Sequence, residues 1–190
     1  SGADLMNLMN EGALLAGRRN KKKITMDDIV DSIEKVLLGP AHKNNRLDAQ
    51  EKKIVAYHEA GHAIVGASLT HTDPVHKVSI ISRGSAGGYT LAVPDKDKSL
   101  HSRAYFLDEL SMFLGGYVAE ELVFGDVTTG PSSDLKRATH MARNIVTRYG
   151  MSRLGIRTFG KNEDVIFLGR EVAEEKDYSE HTAEAIDSEV

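Results

Sequence analysis

"AYHEAGHAIV", residues 56–65, sets two histidines and a glutamate into a run that otherwise has the spacing of a helix packed into a core. Ile54, Val65 and Leu69 fall on the same stripe as His58 and His62. Residues four apart on a helix lie only about 40° apart around its axis, so the two imidazoles stack on one face and can converge on a point. Buried among apolar neighbours, they need partners to offset their desolvation. A metal ion meets that need, and the pattern H-E-x-x-H is the signature of zinc hydrolases. Glu59, turned about 100° from His58, reaches over the open side of such a metal instead of competing to bind it. Zinc lowers the pKa of a bound water from about 15.7 to about 7, and Glu59 is placed to take that proton and pass it to a leaving amine. The competing reading, an amphipathic helix with two hydrogen-bonded histidines, leaves their position on the apolar stripe without a reason.

Composition narrows the chemistry further. The 190 residues, 41% of them hydrophobic, are enough to bury a core in one domain or somewhat more. No apolar run approaches the eighteen or so residues of a membrane span, and the N-terminus lacks the order of a signal peptide, so the stretch is expected to be soluble. A net charge of -4 argues against a nucleic-acid module. "RRNKKK" at 18–23 is a local exception without interleaved aromatics, and it reads as a solvated loop. The absence of cysteine excludes disulfides, thiolate zinc sites and cysteine nucleophiles, leaving histidine and carboxylate as metal ligands.

Outward from the motif, Asp48 and Glu51 form a capping-box pattern, and helical periodicity runs from there to about Leu69, where "THTDP" stops it. Before it, "ADLMNLMNEGALLAGRR" carries Leu5, Leu8, Met9, Ala13 and Ala16 at helical spacing, and "MDDIVDSIEKVL" follows Thr25 as an N-cap. Gly39-Pro40 ends that pair, and the polar "AHKNNRL" at 41–47 reads as a linker. "VHKVSII" (75–81) and "YTLAV" (89–93) read as strands of a small hairpin or sheet separated by the loop "SRGSAGG". A long helical pattern covers about Leu100 to Phe124 with an interruption at Gly115-Gly116, and another runs from about Ser132 to Tyr149 with Gly150 as its stop. In the tail, "FLGRE" reads as a short ordered segment and "SEHTAEAIDSEV" as a helix cut off by the chain end. The expected fold class is mainly α (α+β), with no internal repeat.

A catalytic zinc needs a third protein ligand and an open fourth position. The extended motif H-E-x-x-H-x-x-G-x-x-H requires glycine and histidine where this chain has Val65 and Ser68, which excludes that group of zinc proteases. Two carboxylates stand out. Asp134, in "TTGPSSDLKRATHMARNIV", opens a helix on the face continued by Ala138, Met141 and Ile145; in a first turn it can also be simply a favourable charge at the helix dipole. Glu120, in "GGYVAEELVFG", shares a face with Phe106 and Phe113, where an unpaired carboxylate would be costly. Spacing leaves open which of them binds the metal and which orients a ligating histidine. His71, His76 and His140 read as ordinary surface or hydrogen-bonded histidines.

Taken together, "AYHEAGHAIV", "GGYVAEELVFG", "TTGPSSDLKRAT" and "ARNIVTRYGMS", in this order and separation, resemble the protease domain of the FtsH family of membrane-anchored, ATP-dependent metalloproteases. "SGADLMNLMNEGALLAGRR" followed by "ITMDDIVDSIEKVLLGP" is similar to the end of the AAA+ module that precedes it. The resemblance implies a division into AAA+ lid helices (1–40), linker (41–47) and a C-terminally truncated zinc metalloprotease domain (48–190). It implies one Zn²⁺ per chain held by His58, His62 and Asp134 of the TGxSxD stretch, with Glu59 as catalytic base and Glu120 as a carboxylate that supports a ligating histidine. Tyr117 stands where an arginine is common in that family and Pro131 where a small residue is, so the loop bearing the third ligand is expected to be shaped differently. ATP and Mg²⁺ are implied only for the full-length parent, because no G-x-x-x-x-G-K-[ST] occurs here. The parent is expected to be a homo-hexamer anchored by segments outside this chain, in a bacterial inner membrane with the protease on the cytoplasmic side or in an organellar inner membrane. Its expected substrates are unfolded and membrane proteins, bound as an extended strand beside "YTLAV" or "VHKVSII". The rival functions are a non-catalytic oligomerisation module with a structural zinc and a zinc aminopeptidase.

Overall fold

The computed structural model describes residues 1–39, 48–82, 87–94, 98–160 and 177–190. Its elements are α1 (Gly2–Arg18), α2 (Met26–Leu38), α3 (Ala49–Ser68), β1 (Val75–Ser79), β2 (Tyr89–Ala92), α4 (Arg103–Phe124), α5 (Ser132–Thr147) and α6 (Glu180–Glu189). The expected mainly helical fold with a small sheet is borne out. The expected linker at 41–47 and the segment "FLGRE" lie outside the described residues. No described helix is long and apolar enough to cross a membrane.

α1 and α2 form a pair that packs on no other described element. Gly12 and Ala16 are the buried residues of α1, and Ile24 and Ile29 lie where a side chain at position 12 would go. Leu5 and Met9 of the predicted stripe are largely exposed, so the apolar spacing extends beyond what α2 covers. Asp28, fully buried, ties the pair together: it accepts from Arg19 (2.9 Å), Lys21 (2.7 Å) and both the hydroxyl (2.7 Å) and backbone N–H (3.0 Å) of Thr25. The Lys21 ammonium, with the Thr25 hydroxyl, holds the Asp28 carboxyl well below the usual carboxylate range. "RRNKKK" is therefore not simply a solvated loop, because Arg19 and Lys21 of that run neutralise a buried charge.

α3 begins as predicted, with Asp48 and Glu51 each accepting from the other's backbone N–H. Its small residues let neighbours approach on two sides. The antiparallel pair β1–β2 lies on one, with Ser79 opposite Tyr89 and a bulge between Val75 and Lys77 that leaves exposed His76 out of register. α4 lies on the other. A Cβ added at Gly61 would sit 2.3 Å from the carbonyl oxygen of Gly115, and one at Gly115 would sit 2.8 Å from that of Gly61. The expected interruption at Gly115-Gly116 does not occur: α4 runs unbroken through both. Glycine costs a helix roughly 0.5–1 kcal/mol in propensity, and here that cost is outweighed by a backbone-to-backbone packing that no larger residue permits.

α4 ends at Gly125 in the left-handed conformation, and α5 follows. α5 packs against α4 on one side and α6 on the other, where Val146, Phe159 and Ile186 form a buried cluster with Leu154 and Tyr178 against it. Gly150, at φ +59°, turns the chain after α5 as predicted.

Gly61→Ala is expected to destabilise the protein by about 1–3 kcal/mol through forced separation of α3 and α4. Gly17→Ala, where nothing lies within 4 Å of the added carbon, is expected to stabilise α1 by roughly 0.5–1 kcal/mol. Denaturant unfolding of the two variants, read by circular dichroism, checks the contrast.

Candidate metal centre

His58 and His62 are both buried, and α4 determines how each ring is turned. Nδ1 of His62 lies 2.7 Å from the carbonyl oxygen of Met112, and Nδ1 of His58 lies 2.8 Å from Oε1 of Glu120. A carbonyl can only accept, so His62 carries its proton on Nδ1. The Glu120 carboxylate, whose other oxygen accepts the Thr128 backbone N–H at 2.8 Å, favours the same tautomer in His58. Met112, Gly116 and Glu120 are one helical turn apart, and Gly116 is the notch between the two acceptors. A Cβ there would lie 2.5 to 2.7 Å from three atoms of the His58 ring.

With both Nδ1 atoms donating, both Nε2 atoms present lone pairs, and they face each other at 3.0 Å. Asp134, in the first turn of α5, brings Oδ2 to 3.3 Å from Nε2 of His58 and 3.5 Å from that of His62. Among the described residues these three side chains form the group whose ligand atoms lie close enough to share a metal, all within 4.8 Å of one another. Two neutral nitrogen acceptors and a carboxylate oxygen pointing at one spot leave no donor among themselves, an arrangement that a cation satisfies. Two imidazoles and one carboxylate, without cysteine, suit one zinc ion with a fourth position open.

The charges follow from this crowding. Burial works to raise the Asp134 carboxyl, but the imidazoles of His58 and His62 hold it well below the usual carboxylate range. Burial likewise disfavours a charged His58, and the carboxylates of Asp134 and Glu120 more than offset it, so that ring is shifted upward. Glu59 is pushed up by burial, with the Thr90 hydroxyl and the two imidazoles acting against the shift.

Glu59, His58, His62 and Asp134 line one cavity of about 820 Å³, which also takes in β2 and the Thr128–Gly130 turn. Glu120 stands at the Nδ1 edge of His58, whereas Asp134 lies at the Nε2 edge, and Glu120 is 1% exposed. Pro131, whose φ of -66° suits an N-cap position, is buried and accepts the Leu135 N–H at 2.9 Å. Tyr117 is half-buried on α4. His71 bonds to Asp108 at 2.8 Å, and His76 and His140 are exposed, so none of these three joins the centre.

The family model described as Peptidase family M41 matches residues 45–190. The chain belongs to peptidase family M41. Across its whole length this M41 chain is 54% identical to an ATP-dependent zinc metalloprotease FtsH of Slackia heliotrinireducens, covering 24% of that protein. It is 51% identical over its whole length to FtsH 1 of Sphaerobacter thermophilus and 53% identical to FtsH of Kosmotoga olearia, covering 29% and 30% of those proteins. The M41 chain thus spans about a quarter to a third of the length of the curated relatives it matches. The resemblance to the FtsH protease domain is borne out at that level.

Four contributors to the centre escaped the sequence. The Met112 carbonyl and Thr128 N–H are backbone groups that no side-chain pattern reveals. Gly116 was visible as a glycine, but only its neighbour in space explains it. Thr90 lies within the predicted strand "YTLAV", yet nothing in the strand's alternation sets its hydroxyl apart.

Gly116→Ala is expected to push the His58 ring off its Glu120 partner and to cost about 1–3 kcal/mol of stability. Thermal unfolding, together with the loss of the hydrogen-bonded His58 Nδ1–H resonance in NMR spectra, checks both effects.

Proposed function

We propose that this chain is the proteolytic part of an ATP-dependent zinc endopeptidase that acts on unfolded and membrane proteins. The observation that carries the reading is the convergence of His58 Nε2, His62 Nε2 and Asp134 Oδ2 beside the buried carboxylate of Glu59. In this reading those three hold the metal, and Glu120, by accepting from His58 Nδ1, fixes the ring that binds it. Zinc bound there would act as a Lewis acid toward a peptide carbonyl and make a water acidic enough to attack it. Glu59 accepts the proton released in that attack and returns it to the departing amine nitrogen.

β2 supports a role in holding the substrate. Its residues Thr90, Leu91 and Ala92 line the cavity, whereas none of the β1 residues does. A substrate main chain laid along β2 would be held by its backbone, with little demand on its sequence. We further propose that residues 1–40 are the end of an AAA+ lid joined to the protease through 41–47; α1 and α2 pack only on each other among the described elements, as a separate unit would. The curated relatives are named ATP-dependent, which agrees with a parent that delivers substrates by an ATP-driven homo-hexameric ring anchored in a membrane.

The test is cleavage of an unfolded, N-terminally blocked protein by the zinc-loaded chain beside Glu59→Gln. The expected result is internal cleavage that falls by roughly 10²- to 10⁴-fold in the variant while one zinc per chain stays bound. Undiminished cleavage by Glu59→Gln would overturn the assignment of the base, and an intact blocked protein beside N-terminal trimming of its unblocked counterpart would indicate an aminopeptidase.

A further inference from the structure

The base itself is anchored from the opposite side of the cavity. The Thr90 hydroxyl on β2 lies 2.8 Å from Oε2 of Glu59 and 3.1 Å from the Glu59 carbonyl oxygen, and as an O–H it donates, the shorter contact being to the carboxylate. Glu59 is 6% exposed, so water does not compete freely for that oxygen. The contact depends on how closely β2 lies on α3. Gly88, just before β2, lies so near α3 that a Cβ there would meet Val55 at 2.8 Å and Oε1 of Glu59 at 2.9 Å. Two residues on, Thr90 projects to the same face of the strand, at the same carboxylate.

We propose that Thr90 is a positioning residue for the hydrolytic reaction: by holding Oε2 of Glu59 it fixes the carboxylate's orientation and leaves the other oxygen to receive the proton. The inference rests on the zinc-endopeptidase reading. A glutamate has three rotatable bonds, and a base works only within about 2.6–3.2 Å of the proton it takes, so a carboxylate free to turn would spend much of its time out of reach. Thr90 does not touch the reacting atoms in this role. Its removal should therefore lower turnover without weakening substrate binding. Because Thr90 also belongs to the strand that lines the cavity, the base and the substrate's main chain would be referred to the same element.

The test compares Thr90→Val, which keeps the shape and removes the donor, with Thr90→Ser, which keeps the donor. Both are made in the full-length protein and assayed on a short N-terminally blocked peptide, with Glu59→Gln alongside and zinc content measured for each. The expected result is a kcat lower by roughly 10- to 100-fold in Thr90→Val, the strength of a hydrogen bond to a charged group, with KM changed less than about twofold, zinc retained and Thr90→Ser near the unsubstituted rate. A crystal structure of metal-free Thr90→Val should show the Glu59 carboxylate displaced from its place opposite β2. Thr90→Ala gives the same comparison if the valine variant does not fold. Full kcat in Thr90→Val, an equal loss in Thr90→Ser, or an unmoved carboxylate would overturn the inference. If Glu59→Gln is inactive while Thr90→Val is not, this inference alone fails; if Glu59→Gln cleaves normally, the endopeptidase reading fails with it.

Discussion

The site depends on the contact of α3 and α4 through Gly61 and Gly115, the tightest approach at any of the described glycines, where each backbone touches the other. Everything at the centre is measured from it. With the helices at that distance, Gly116 lies directly under the His58 ring, and the acceptors one turn to either side, the Met112 carbonyl and the Glu120 carboxylate, reach the Nδ1 atoms of His62 and His58. A wider crossing would leave both imidazoles free to rotate and Glu120 buried without its partner, a costly state for a carboxylate. The glycines thus act on chemistry through geometry: they set the distance that fixes two ring orientations and two tautomers, so that both Nε2 atoms turn lone pairs toward the cavity.

The electrostatics of the centre are assembled from different elements for a physical reason. Two imidazoles from one helix supply neutral nitrogens whose lone pairs converge, and a carboxylate from a separate helix, Asp134, supplies the negative charge. Glu59, the neighbour of His58 in sequence, is turned toward the strands instead, where burial favours a carboxylate that takes up protons more readily than an exposed one. Two carboxylates within one cavity are thus pushed in opposite directions, Asp134 downward by its imidazole partners and Glu59 upward by burial. In the proposed reading, that divergence suits Asp134 to bind the metal and Glu59 to take a proton, although both are the same kind of group.

The helix carrying the motif, its capping box, the strand pair and the terminating glycine at 150 were legible because each is written in local spacing. What was not legible required a neighbour. Gly115-Gly116 reads as a weakness within a helix until another backbone is brought against it. Arg19 and Lys21 read as solvent-facing charge until Asp28 is seen buried between them. Glu120 and Asp134 were both marked as candidates, but their separate places, one at the Nδ1 edge of His58 and one at its Nε2 edge, come from the approach of α4 and α5 to α3, which no period reveals. Thr90 carried no signal at all: one threonine in a short strand is distinguished only by the carboxylate across from it.

The central claim is that His58, His62 and Asp134 hold a single zinc with one position left open, and X-ray absorption at the zinc edge of the loaded protein tests it most directly. The spectrum should show two imidazole nitrogens at about 2.0–2.1 Å and oxygen ligands at about 2.0–2.2 Å, with one oxygen lost in Asp134→Ala and none in Glu120→Gln. A coordination shell that loses its carboxylate in Glu120→Gln and keeps it in Asp134→Ala would contradict the proposed centre.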